Sequence, residues 1–216
     1  MSAAKNPELE FANAEELEAI ADLRSRLESE LKALEAEGKA FPHVTGDIFF
    51  TRLLRGNSDR DEAVKWFKNF IEMRAKFGLD AIHRELEASS TPWASTAMPH
   101  SSEVVQYFNT VFDEEKLRTA SGHVVWYDAM GDWRTKRMLD AIGKEKFVKF
   151  MQYACERRTS MLDRLSREKG RIVKILKIMD CEGVGLWQLN KEFRKVQEEH
   201  VDPVLFGSSI ETLHVM

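Results

Sequence analysis

The sequence predicts an α/β fold: an N-terminal helical bundle followed by a partial, mainly parallel sheet with flanking helices. Three observations carry this. Residues 171–179 place Ile172, Val173, Ile175, Leu176, Ile178 and Met179 in one short run. Such a run is rich in β-branched residues and too short for a lone buried helix, so it reads as a strand covered on both faces, as inside a parallel sheet. Residues 14–86 carry apolar side chains at steps of three and four, the mark of helices with one buried face. Beyond residue 122, strand-like and helix-like stretches alternate, the order expected of parallel crossovers.

Taken in order, residues 1–13 form a polar leader. Leu17, Ile20, Leu23, Leu27, Leu31 and Leu34 then lie on one stripe, predicting a helix that Gly38 and Pro42 end. Residues 47–56 form a short helix with Asp47 as its cap and Ile48, Phe49, Leu53 and Leu54 inside. Asp59 and Glu62 have capping-box spacing for a third helix. Its face carries Ala63, Trp66, Phe67, Phe70, Ile71 and Met73, and Gly78 stops it. These helices make up a module over 14–86.

Residues 87–102 hold five Ser, two Thr and two Pro and read as a linker. Within 103–216, a helical patch is expected at 104–112 and a strand at 123–130. A helix follows at 144–165, with Gly170 as its stop. After the strand at 171–179 come a turn at Asp180–Gly183, a helix at 186–198 in which Trp187, Leu189 and Phe193 keep helical spacing, and a third strand beginning at 210. A sheet cut there is half built, so a truncated domain is expected.

Composition narrows the chemistry. The chain has 216 residues, 43% apolar and 31% charged, with net charge −4. That balance supplies no basic field for nucleic acid. No run approaches the roughly 18 apolar residues of a membrane span, and the first residues show no secretory h-region. Cys155 and Cys181 read as reduced thiols in a cytoplasmic protein.

No GxGxxG or GxxxxGK[ST] pattern marks a nucleotide site. Glu211 and His214 share one E-x-x-H spacing without partners. The six histidines form no close pair in the sequence, so no metal and no cofactor are expected. Asp180 reads as a turn cap or as a strand-end acid. Eight basic residues, Arg157, Arg158, Arg164, Arg167, Lys169, Arg171, Lys174 and Lys177, cluster in one region. They read either as a solvated helix face or as a surface for acidic membrane. Lys174 and Lys177 point to opposite strand faces, and the inward one needs a partner.

In this order the residues resemble the CRAL-TRIO family of lipid-binding and phosphatidylinositol-transfer proteins. FFTRLLRGNSDR and AVKWFKNFIEMRAKFGLDAI are similar to its helical module. Gly122–Trp126 matches its G-R-P-V-Y strand, Asp180–Val184 its D-L-K-G turn, and Ser209–His214 its YPETLH segment. The family's tyrosine is Trp126 here, and its strand hydroxyls fall on Ile175 and Lys177. The resemblance implies non-catalytic binding, and transfer between membranes, of one amphipathic lipid in a hydrophobic pocket over the sheet. Trp126, Tyr127, Ile175, Lys177 and Met179 are the expected lining region, of which strand alternation lets only some face the lipid. Arg55, Arg157, Arg158, Arg164 and Arg167 are the expected contacts to headgroup or membrane, with the protein peripheral on membranes. The alternative is an incomplete pocket and a module that docks on acidic membrane or protein surfaces through those cations.

Overall fold

The helix stops and caps visible in the sequence set the first half of the architecture. The structure, a computed structural model, describes residues 12–89, 98–113, 115–185, 188 and 190–207. Asn13 caps α1 (Ala14–Arg26) through a full capping box with Glu16. The single helix expected here bends at Leu27 and continues as α2 (Glu28–Ala36). A one-turn helix α3 (Pro42–Thr45) leads into α4 (Asp47–Arg55), whose cap is Gly46 rather than Asp47. Asp59 caps α5 (Arg60–Phe77) by accepting from the Glu62 amide. Gly78 then turns the chain at φ 65°, a left-handed value glycine adopts without strain, and α6 (Leu79–Ala88) begins at once. Leu23, Leu27, Phe49, Phe50, Leu53, Phe67 and Phe70 close the core of this bundle.

The second half is mixed α/β, with a small three-stranded sheet. The patch read as helical at 104–112 is helical only in α7 (Ser101–Val104) and a 3-10 turn at Val105–Tyr107. It then becomes strand β1 (Asn109–Phe112). β1 pairs antiparallel with β2 (Val124–Ala129), and β2 pairs parallel with β3 (Ile175–Asp180). The sheet is therefore mixed rather than mainly parallel, because β1 enters from a local hairpin-like return and needs no crossover.

Between β2 and β3 runs α8 (Thr135–Lys169), broken at Gly143, whose φ of 79° and ψ of 161° are not helical. Asn190 caps α9 (Lys191–Val196), a helix that widens into a π segment at Gln197–Val201 and ends in α10 (Asp202–Gly207). The third strand expected from 210, the E-x-x-H pair Glu211 and His214, and Trp187 and Leu189 lie outside the described residues.

α8 is the shared wall of the molecule. Near Tyr153 and Cys155 it packs on α6 and α10, and Phe147 packs with Phe193 and Val196. Met161, Leu162 and Leu165 cover Val124, Val173 and Ile175 of the sheet side. Only this face of the sheet meets a helix among the described residues. The two-sided burial expected of residues 171–179 is overturned: Ile172, Val173 and Ile175 are buried, but Lys177, Ile178 and Met179 are exposed. An apolar run reports hydrophobicity and not how many layers surround it.

Gly131, after β2, lies against the turn after β3. A Cβ there would sit 1.9 Å from the Glu182 carbonyl oxygen. Gly131→Ala should therefore cost about 1–3 kcal/mol, as overpacking does. A urea denaturation midpoint checks it; an unchanged midpoint would show that the two turns are not held together.

Candidate functional site

Register sorts the predicted lining residues onto two faces. Val124 pairs with Ile175, Trp126 with Lys177 and Asp128 with Met179, so these six share the α8 side. Ile175 is core there. Trp126 lies tilted against Phe112, with centroids 4.7 Å apart. Its indole N–H donates to Asp128 Oδ1 at 2.9 Å. The Thr110 hydroxyl donates to the same oxygen at 2.7 Å, and Lys177 Nζ lies 3.2 Å from Oδ2. The buried Asp128 is thus satisfied by three donors, and Lys177 has the internal partner that its place in a strand demanded. Met179 is on this side but beyond the cover, 57% exposed.

Tyr127 alone among the five faces the other way. Its neighbours in register are Val111 of β1 and Ile178 of β3, and these are 47% and 44% exposed. Val125 and Leu176 form the apolar row before them. Asn109, Ala129 and Asp180 form the row after, at the strands' far end. Tyr127 donates its hydroxyl to Asp180 Oδ2 at 2.7 Å. Asp180 also accepts from the Glu182 amide at 2.9 Å, which is the turn-cap role. Among the described residues, the face turned from α8 thus carries an apolar patch with one polar end. Val111, Val125, Leu176 and Ile178 were missed as a group, since the face a strand shows to a helix cannot be told from its other face by alternation alone. A separate cleft of about 370 Å³ opens at Arg134, Thr135, Lys136 and Arg137, and none of the predicted lining residues borders it.

The predicted basic contacts are dispersed. Arg55 binds Glu16 with both Nε and Nη2, at 2.7 and 2.9 Å. Arg157 is buried, with its guanidinium 5.7 Å from the Phe112 ring centre. Arg158 is half-buried. Arg164 pairs with Glu168 and Arg167 with Asp163, each one helical turn away.

What the sequence concealed is a buried polar junction where the helical module meets α8. Glu156 of α8 is fully buried. Arg74, in the last turn of α5, donates to Glu156 Oε2 at 2.9 Å and Oε1 at 3.1 Å, and its Nε donates to Asp80 of α6 at 2.8 Å. His43 Nε2 of α3 lies 2.7 Å from Glu156 Oε1. His83 Nδ1 of α6 lies 3.4 Å from the same oxygen, and its Nε2 lies 3.3 Å from Glu87. Neither contact of His83 has hydrogen-bond geometry. The His43 and His83 ring centres are 4.3 Å apart. Sequence spacing, which offers no close histidine pair, does not show this one: 40 positions apart, His43 and His83 are brought together by the α3 turn and α6.

Burial would push the Glu156 carboxyl up, but the charge of Arg74 and the contact with His43 outweigh it and hold it well below the usual carboxylate range. Burial, with His43 adding to it, pushes His83 down from 6.5 to about 4. A search against models of known protein families finds none that matches this chain.

Two predictions follow from the junction. Glu156→Gln leaves Arg74 short of a buried counter-charge and should cost about 3–5 kcal/mol, read from denaturant unfolding. On pH, both Glu156 and His83 have folded-state pKa values below their unfolded ones. The unfolded chain then binds more protons in that range, so their stabilisation is complete above the unfolded value and is lost as pH falls through the folded one. For His83 the window runs from about 6.5 down to about 4. Stability measured by urea should fall there with a slope of up to about 1.4 kcal/mol per pH unit from this one group. His83→Gln should flatten that slope; an equal slope in the variant would remove His83 from the account.

Proposed function

We propose that the chain binds one amphipathic lipid, without catalysis, on the face of the sheet turned away from α8. The observation that carries this is the row Val111, Tyr127 and Ile178 with Val125 and Leu176 beside it: apolar, in register, and part exposed. Sheet faces left to water normally carry polar residues, and parallel pairs such as β2 and β3 are normally covered on both sides. A ligand chain laid on these rows removes apolar surface from water, worth about 0.8 kcal/mol per buried CH₂. Asn109, Asp180 and the Tyr127 hydroxyl at the end of the patch suit a polar headgroup, which keeps water while the tail does not.

The order of a helical module, a G-H-V-V-W strand and a D-C-E-G-V turn resembles CRAL-TRIO proteins and supports the same reading, extended to transfer between membranes. Of the five lining residues expected, this reading keeps Tyr127 as a contact and gives Trp126, Ile175 and Lys177 structural work under the sheet. Met179, exposed at the edge beyond α8, is left as a rim residue. The docking alternative has less to rest on, because Arg55, Arg164 and Arg167 sit in ion pairs and Arg157 is buried.

Native mass spectrometry of the purified chain, with extraction of bound lipid, tests the proposal. One lipid per chain, retained at high salt, is expected. The double variant Val111→Asp with Ile178→Asp should lower lipid affinity at least about tenfold, equal to about 1.4 kcal/mol. Both sites are exposed, so stability should change by no more than about 0.5 kcal/mol per site. A folded wild type that takes up no lipid from phosphatidylcholine or phosphatidylinositol vesicles would overturn the reading.

A further inference from the structure

We propose that His43 Nε2, His83 Nδ1 and Glu156 Oε1 form a site for one divalent transition-metal ion of the zinc class, joining α3, α6 and α8. One ligand atom from each residue lies within 4.8 Å of the others, His43 Nε2 and His83 Nδ1 are 2.7 and 3.4 Å from Glu156 Oε1, and all three residues are buried. Two imidazole nitrogens with one carboxylate oxygen are a zinc-type donor set, unlike the all-oxygen sets of magnesium and calcium.

The argument turns on one oxygen. Arg74 grips both Glu156 oxygens and fixes the plane of the carboxylate. The remaining acceptor position of Oε1 faces the two rings, with His43 at 2.7 Å and His83 at 3.4 Å. A single hydrogen bond there serves one ring only. With His43 taking it, both ring nitrogens of His83 stay without a hydrogen bond although the side chain is 3% exposed. Leaving buried polar groups unmet costs about 1–3 kcal/mol each. An ion between the three atoms serves both rings and the oxygen together.

Bonds of about 2.0–2.2 Å place tetrahedral ligand atoms roughly 3.3 Å apart. His83 and Glu156 already stand near that separation at 3.4 Å, and His43 needs to withdraw from Glu156 by roughly half an ångström on the short α3 turn. The two rings, with ligand atoms within 4.8 Å, adjust to the same spacing. With Nδ1 on the ion, His83 Nε2 carries the proton and faces Glu87 at 3.3 Å. A carboxylate on the far nitrogen is the usual support of a ligating histidine. Charge agrees: Arg74, Asp80 and Glu156 sum to −1 with neutral imidazoles, so the junction accepts added positive charge, and Glu87 at its rim adds another negative.

The full chain, stripped with chelator, is titrated with Zn²⁺ by native mass spectrometry and calorimetry, and with Co²⁺ by visible absorption. Each titration is run on the folded protein and after refolding from urea with the ion present, so that burial of the site does not decide the result. One ion per chain and a raised Tm are expected. His43→Gln and His83→Gln should each lower Zn²⁺ affinity at least about tenfold, and His100→Gln and His200→Gln should not. Glu87→Gln, at an exposed position that does not threaten folding, should lower it roughly 10–100-fold without changing the stoichiometry. A wild type that binds neither ion under either regime overturns the site. So does binding that survives unchanged in His83→Gln or Glu87→Gln.

Discussion

The pairing of Arg74 with Glu156 is the contact around which the molecule is assembled. Placing two full charges where water does not reach is costly, and it is tolerated only when both are well hydrogen-bonded. Here the guanidinium spans both carboxylate oxygens and reaches Asp80 as well. The donor and its two acceptors lie on three helices, α5, α6 and α8, so the relative positions of those helices are set by the demand that no bond be missed. A slide of one turn along α8, about 5.4 Å, would strand Glu156 among apolar side chains. Apolar packing fills the space around this junction, but it would accept several such slides; the polar contacts do not.

A second set of bonds repeats the logic at the other end of α8. Arg52 of α4 is buried and donates to the Val173 carbonyl oxygen at 2.8 Å and to the Ser166 hydroxyl at 3.1 Å. Ser166 in turn accepts from the Val173 amide. The entry to β3 is thereby held against both α4 and α8. Because β3 is paired in register to β2, and β2 to β1, the position of the whole sheet descends from these few side chains. The helical module and the sheet share α8 and are fixed to it by arginines whose charges have no water to fall back on.

Much of this was legible in the sequence where the governing rule is local. Asp59 as a cap, Gly78 and Gly170 as stops, and the aromatic face of α5 depend on neighbours within a few residues, and each stands in the structure as read. The strand at 123–130 and the turn at Asp180–Gly183 are of the same kind. What failed depends on distance. β1 has four residues and no apolar alternation strong enough to outweigh the helical spacing before it. The uncovered side of β3 cannot be inferred from an apolar run. His43 and Glu156 are 113 positions apart, and an isolated Glu in a charged helix reads as solvated. One signal was present: Tyr153, Cys155, Thr159 and Ser160 surround Glu156 with small or apolar residues on the same stretch of α8, an odd setting for an exposed acid. Arg157, expected at a headgroup or membrane surface, misled for the opposite reason, since arginine is so often exposed that burial is the last reading considered.

The division of labour between the two faces of the sheet follows from where the stability sits. Beneath the sheet, Val124, Trp126 and Ile175 pack against α8 and Asp128 gathers its three donors. Where α8 covers that side, a change is felt in folding. Above it, among the described residues, Val111 and Ile178 stay about half exposed on either side of Tyr127. An apolar face that does not contribute to the core can exchange water for a ligand without the fold being rebuilt. Such a face also tolerates variation, because a side chain altered there hardly changes what is folded. The buried junction and the half-exposed sheet face are therefore complementary: internal charges fix the scaffold, so among the described residues these apolar rows are not needed to hold it.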